Sequence, residues 1–378
     1  MEELKYVIED STIAQLLGVQ NFSSDEAAIL ELVKNAYDAN ALFLKIIFKE
    51  NALYIIDDGV GMNHSDIKEH WMHIGRSSKL YEIVDSKNNK RIQAGSKGVG
   101  RFALSRLGLG VKLYTKKINE NGLLWKTNWD NSTLEEVSVD FEHGTYIEIC
   151  ELREKWNLKR VELLHDYLER TYNDQSMKIV IIADNYEQEV LPHFPKPEAG
   201  INCKSYIELC FKDGVLNTTI HSDEFKKEAE EYCKGIDLSY HSVNTSIIEE
   251  LTGNELEEID GDNLLKRVNE MGNFSAIFFF NLEPRKMDME KFLYKTLVTP
   301  VVIEPGIILY RNAFSISSYE GKKDWLGLGK RSRKSPAAAT HTTGSWRVRE
   351  NQLSGYVLID KKKNNVLQDM SNRQGLDE

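Results

Sequence analysis

Glu31-Leu-Val-Lys-Asn35-Ala-Tyr-Asp38-Ala39, followed one hairpin later by Asp57-Asp58-Gly59-Val60-Gly61-Met62, is the stretch whose reading decides the fold. The first segment reads as a helix with Glu31, Asn35 and Asp38 on one face, at i, i+4 and i+7. Their neighbours Leu30, Val33 and Ala36 are apolar, so this face suits a charged ligand better than bulk water. The second segment is an acidic pair entering a Gly-x-Gly turn, where a backbone without side chains lets a ligand come close. Each segment alone also has a plain structural reading, a solvated helix face or a simple turn. Their order and spacing carry the argument.

Two further segments extend it. Gly95-Ser96-Lys97-Gly98-Val99-Gly100-Arg101 leads into a helix, and backbone N–H groups at a helix start, with Lys97 beside them, favour an anion. Gly144-Thr145-Tyr-Ile-Glu-Ile opens a strand. The chain has no Gly-x-x-x-x-Gly-Lys-Ser/Thr phosphate loop. In this order the four segments resemble the nucleotide-binding motifs of the GHKL ATPases, the group of gyrase, the large heat-shock chaperones, histidine kinases and MutL. The resemblance implies an α+β chain: an N-terminal Bergerat α/β sandwich, a mixed sheet covered by helices, then an α+β transducer-like domain.

It also implies ATP and Mg2+ as cofactors and assigns roles. Glu31 would polarise the attacking water as a general base. Asn35 would bind magnesium, a hard cation that takes oxygen donors. Asp38 would lie near the ribose or the phosphates. Asp57 would accept a hydrogen bond from the adenine amino group and reject guanine, whose carbonyl would face it acceptor to acceptor. Asp58 stands where relatives often carry Asn or Thr. Gly59, Gly61 and Met62 would pass beneath the base. Gly95, Ser96, Lys97, Gly98, Val99, Gly100 and Arg101 would hold phosphates, with Ser78 and Lys79 reaching in from a lid. Thr145 would offer its hydroxyl to the water network around the base, unless it is only a threonine at the start of a strand.

Composition narrows the class. At 378 residues, with 41% hydrophobic and 28% charged residues, the chain has room for two soluble domains. No apolar run has the length of a membrane span. Cys150, Cys203, Cys210 and Cys233 show no paired spacing and read as reduced thiols, which fits a cytoplasmic protein. A net charge of −11 argues against wholesale coating of nucleic acid but leaves room for a local basic patch.

Pro192-His-Phe-Pro195-Lys-Pro197 marks a boundary. The expected ATP-binding domain is 1–190, with a polar lid at about 75–98, and the expected transducer-like domain is 198–378. In the first, the motif helix runs from Asp25 to Asn40, strands from Leu42 to Lys49 and Leu53 to Asp57, and helices cover Ser65–Ile74, Val99–Leu107 and Leu158–Tyr172. Further strands are expected at 111–115, 123–128, 145–149 and 179–183. The second domain has strands at 205–211, 215–220, 275–280, 306–311 and 355–359.

In the resemblance, a cation from the second domain reaches the γ-phosphate, where it would stabilise developing charge. The candidates are Lys330 and Arg331, in a glycine-flexed basic loop anchored by Trp325; a solvated loop or a nucleic-acid contact are the competing readings. Residues 305–376 also resemble prokaryotic chaperone-like, MORC-like ATP-binding proteins, some from phage-defence or DNA-associated systems. Relatives usually continue past the position of Asn372-Arg373-Gln-Gly375, so a longer full-length protein is expected. Histidine kinases usually carry Asn where Glu31 stands and a basic residue near Asp38, and no histidine precedes His64 here; hydrolysis is favoured over phosphotransfer. The expected function is a slow ATPase clamp that dimerises on ATP binding and acts on DNA or a partner protein. A non-hydrolysing ATP sensor and a DNA-binding clamp with incidental ATPase are its rivals.

Overall fold

The computed structural model describes residues 9–74, 82–84, 90–95, 100–232, 237–247, 261–281, 293–295, 304–334, 348–364, 366–369 and 376–377. Its contacts divide the chain into two units, Met1–Pro192 and His193–Glu378.

The first unit is built on strands β1 (Phe43–Lys49), β2 (Ala52–Asp57), β3 (Glu82–Val84), β4 (Lys90–Ile92), β5 (Gly108–Lys116), β6 (Gly122–Thr127), β7 (Ser132–Val137), β8 (Gly144–Leu152), β9 (Lys178–Ala183) and β10 (Tyr186–Glu189). Eight of them form one sheet in the order β10-β9-β1-β2-β8-β5-β6-β7, antiparallel except for the β1–β9 pair. β3 and β4 pair as a separate hairpin. Helices α1 (Asp10–Ala14), α2 (Asp25–Asp38), α4 (Ala103–Leu107) and α5 (Leu158–Thr171) accompany it, with α2 packed against both α4 and α5. A short α3 (His64–Asp66) runs on as a π-helical turn to Trp71. The α+β expectation holds.

Strand residues alternate between faces, so register decides what shares a surface. On one face the rows across β5, β8, β2, β1 and β9 read Val111, Ile149, Leu53, Phe48, Ala183 and then Leu113, Ile147, Ile55, Ile46, Ile181. All ten are buried. Each large side chain there contributes about 1.5–3 kcal/mol by leaving water. The next row is Thr115, Thr145, Asp57, Leu44, Ile179. The aliphatic face therefore turns polar at one corner. The opposite face carries Tyr54, Tyr114 and Tyr146 in a ladder of ring contacts 5.7–5.8 Å apart.

The start of α2 is fixed by its sequence. Ser24 caps it, accepting from the Ala27 N–H at 3.2 Å. Asp25, 2% exposed, takes Arg106 at 2.7 Å and Arg160 at 2.8 Å. The helix ends at Asp38, two residues short of the expected Asn40, where Asn40 adopts a positive φ of 62°.

The second unit contains β11 (Ser205–Lys212), β12 (Val215–Ser222), β13 (Tyr240–Ser246), β14 (Phe274–Phe280), β15 (Gly306–Arg311), β16 (Phe314–Glu320) and β17 (Leu353–Ile359), in the sheet order β13-β12-β11-β14-β17-β15-β16. Among the described strands of this sheet only β15 and β17 run parallel. Helices α6 (Lys227–Tyr232), α7 (Gly261–Met271) and α8 (Leu328–Lys334) belong to this unit. One face of the sheet packs Phe279, Ile308 and Tyr310 around Phe194; the other packs Ala276, Phe278, Ile307 and Leu353 with Trp325. The basic stretch expected to be a flexed loop is the helix α8: the Asp324 carboxylate accepts from the N–H groups of Leu328 and Gly329 at 2.9 and 2.8 Å and starts it. Trp325 is anchored, donating its indole N–H to the Ile307 carbonyl at 2.7 Å.

Candidate functional site

The polar corner of the first sheet and the polar face of α2 form the candidate site. Glu31 is buried, with one carboxylate oxygen 2.9 Å from the Lys34 ammonium. Its other oxygen faces Gly100: a Cβ placed on that glycine would lie 3.1 Å from Glu31 Oε2 and 3.6 Å from Asn35 Oδ1. The end of the glycine-rich segment thus lies directly against Glu31 and Asn35. A neutral amide oxygen beside a carboxylate fits a hard divalent cation that keeps most of its shell for water and phosphate oxygens.

Asp38 is arranged differently from the expectation of a ribose or phosphate contact. Its buried carboxylate accepts from the Ala94 N–H at 2.7 Å and the Gly95 N–H at 3.0 Å. Arg91, 2% exposed, reaches the same end of α2. It donates to the carbonyls of Ala41 at 2.7 Å and Ser176 at 2.6 Å, with its guanidinium 4.8 Å from the Tyr37 ring. Residues 91–95, inside the expected lid of 75–98, are therefore tied to α2 by a buried cation and a buried carboxylate.

The Asp57 turn closes against the other side of the α2 terminus. The Val60 N–H donates to the Ala39 carbonyl at 2.9 Å, and a Cβ on Gly59 would lie 2.8 Å from Ala39. Gly61 has a φ of +67°, and a Cβ there would strike the Lys116 carbonyl at 2.0 Å, so only glycine fits. Asp58 has a structural task, accepting from the N–H groups of Leu42 and Phe43, both at 2.8 Å.

Asp57 is the electrostatic centre of this corner. Its side chain is partly buried, and the resulting desolvation pushes its pKa up to about 7, against the Gly59 N–H that donates to it at 2.9 Å. Thr145 and Thr115 stand in the same row, their hydroxyls 3.3 Å apart. Thr115 also accepts from the Met62 N–H at 2.9 Å. The His143 Nδ1 lies 2.9 Å from the Gly59 carbonyl and so carries the proton. The corner thus joins a carboxyl, two hydroxyls and a glycine turn.

Arg101 departs from its expected place on the phosphates. It donates to the carbonyls of His70 at 3.0 Å and His73 at 2.6 Å, and burial lowers its pKa to about 10. Ser78, Lys79, Ser96, Lys97, Gly98 and Val99 lie outside the described residues. Lys330 and Arg331 are exposed on α8 of the second unit. Sequence reading missed Lys34, Arg91, Thr115 and His143. Lys34, one turn from Glu31, was the readable one; the other three matter only through long-range contacts.

Residues 22–154 match the family described as Histidine kinase-, DNA gyrase B-, and HSP90-like ATPase. The matched residues fall within the first unit and include Glu31, Asn35, Asp57, Gly100 and Thr145. Over 281 residues, 72% of its length, the chain is 23% identical to the DNA mismatch repair protein MLH1 of Saccharomyces cerevisiae. It spans about a third of that protein. Among the described residues no helix is long and apolar enough to cross a membrane.

Proposed function

We propose that the first unit binds ATP with magnesium on the α2 face and hydrolyses it slowly, as a conformational clamp. The observation that carries this reading is the convergence of Glu31 and Asn35 on Gly100, with the Asp57–Thr145 row at the sheet corner. Asp57 accepts from the adenine amino group, with Thr145 and Thr115 ordering the groups beside it. Gly59, Gly61 and Met62 form the turn under the base. Asn35 holds the metal, which when bound neutralises phosphate charge. Glu31 Oε2 accepts a proton from the attacking water, while Lys34 holds Oε1. Gly95 to Gly100 supply backbone N–H groups to the phosphates, with Lys97, Ser78 and Lys79 adding donors. Asp38 acts on the lid instead, by fixing its returning strand.

Lid closure, dimerisation on ATP and a cation from Lys330 or Arg331 complete the proposed cycle. Its client is DNA or a partner protein; the DNA-repair name of the relative and the basic α8 face support DNA. A role in phage defence rests on the resemblance alone. The second reading is a non-hydrolysing ATP sensor. One observation favours it: the Lys34 ammonium already occupies one of the two Glu31 carboxylate oxygens.

Titrating the full chain with ATP and GTP in magnesium tests the site. ATP should bind, and GTP should bind tenfold to a hundredfold more weakly, the cost of two facing acceptors. Equal affinity for the two, or no binding of either, contradicts the proposal.

A further inference from the structure

We infer that His143 is a positioning residue for base recognition: it grips the Gly59–Val60 peptide and so aims the Asp57 carboxylate at a 6-aminopurine. The ligand is that of the nucleotide reading, on which this role rests; the grip itself does not depend on it.

The Gly59–Val60 peptide is held at both ends. Its carbonyl accepts from the His143 Nδ1–H at 2.9 Å, and its N–H, on Val60, donates to the Ala39 carbonyl at 2.9 Å. Gly59 has no Cβ to restrict its torsions, so the plane of that peptide needs outside partners to be fixed. Once fixed, it directs the Gly59 N–H onto Asp57 Oδ1 at 2.9 Å. Gly59 is buried, where an N–H turned away from its acceptor would be costly. Asp57 Oδ2 receives no hydrogen bond from the described residues and is the oxygen left for a base.

Tight backbone packing brings His143 to this peptide. Gly144 has a φ of +118°, and a Cβ there would lie 2.3 Å from the Asp57 carbonyl oxygen. Thr145, next along, pairs with Asp57 across β2 and β8. β8 therefore starts against the Asp57 backbone, and the residue just before it falls beside the Gly59 turn. The far end of the turn is held independently, the Met62 N–H donating to the Thr115 hydroxyl at 2.9 Å. His143 thus governs the Asp57 end. Charge acts in the same sense. Desolvation raises the Asp57 pKa; the Gly59 N–H and, after it, His143 hold it down, against the neighbouring Asp58.

The test uses the full chain with His143→Phe, which removes the donor, and His143→Asn, whose side-chain N–H can replace it. Without nucleotide, amide exchange at Gly59 should be about tenfold faster in His143→Phe and within about twofold of wild type in His143→Asn. Exchange at Gly59 that does not change in His143→Phe overturns the grip. With magnesium, the probes are ATP and purine riboside triphosphate, which lacks the 6-amino group. His143→Phe should weaken ATP about tenfold and the purine analogue by no more than about twofold, and His143→Asn should restore ATP. Equal losses for the two nucleotides, or no loss for ATP, overturn the positioning role. Faster exchange at Gly59 in His143→Phe, with a wild type that binds neither nucleotide, supports the grip and contradicts the nucleotide reading alone.

Discussion

Asp57 is where one residue can be made to report on the site. Its folded pKa of about 7 lies above the ordinary carboxylate value of 3.8, so between these values the folded chain holds a proton that the unfolded chain has lost. Stability therefore falls as pH rises from about 4 to 7, by an amount on the order of a few kcal/mol. Asp57→Asn should remove that slope and melt higher than the wild type at pH 8, as thermal scans across pH would show. In the proposed complex the adenine amino group donates to Asp57 and favours its ionised form. ATP should then bind more tightly as pH rises from 6 to 8 and release protons, a release calorimetry in buffers of different ionisation heat would detect and Asp57→Asn would abolish. Gly61 makes a second case at this scale. With a φ of +67° and Lys116 carbonyl oxygen 2.0 Å from any Cβ, Gly61→Ala should cost about 3 kcal/mol or more in denaturant unfolding.

At the scale of elements, α2 is the organising piece. It carries Glu31 and Asn35, and its end is tied to residues 91–95 through Asp38 and Arg91. Asp38→Ala leaves the Ala94 and Gly95 N–H groups without their acceptor. Hydrogen exchange at residues 91–95 should speed up, ATP should bind about tenfold more weakly, and the melting temperature should fall by a few degrees. The helix was legible because three polar residues at i, i+4 and i+7 stood among apolar ones. The purpose of Asp38 was not, because its partners lie 56 and 57 residues away. Strands β7, β10 and β13 escaped reading for a common reason. Each lies at an edge of its sheet, where a strand can remain polar and lacks the apolar alternation that marks a covered one. Helix α8 was read as a loop because Gly327 and Gly329 flank its start; the Asp324 cap that begins it is visible only in the fold.

For the whole molecule, the four motifs lie far apart in sequence, yet Gly100 stands against Glu31 and Asn35, the Asp57 turn against Ala39, and Thr145 beside Asp57. The second unit gave weaker signals, since sheet packing by Phe279, Ile308 and Tyr310 is common to many folds and names no chemistry. The proposed clamp makes a demand of the full chain: with magnesium and a non-hydrolysable ATP analogue, light scattering should report twice the monomer mass. A mass that stays monomeric contradicts ATP-driven closure. The most direct measurement is steady-state ATP hydrolysis with magnesium by the full chain and by Glu31→Ala, with ATP binding measured for both. The account predicts slow turnover in the wild type and at least a hundredfold less in the variant, which still binds ATP. Turnover that survives the loss of Glu31, or a wild-type chain that binds ATP without hydrolysing it, would contradict it.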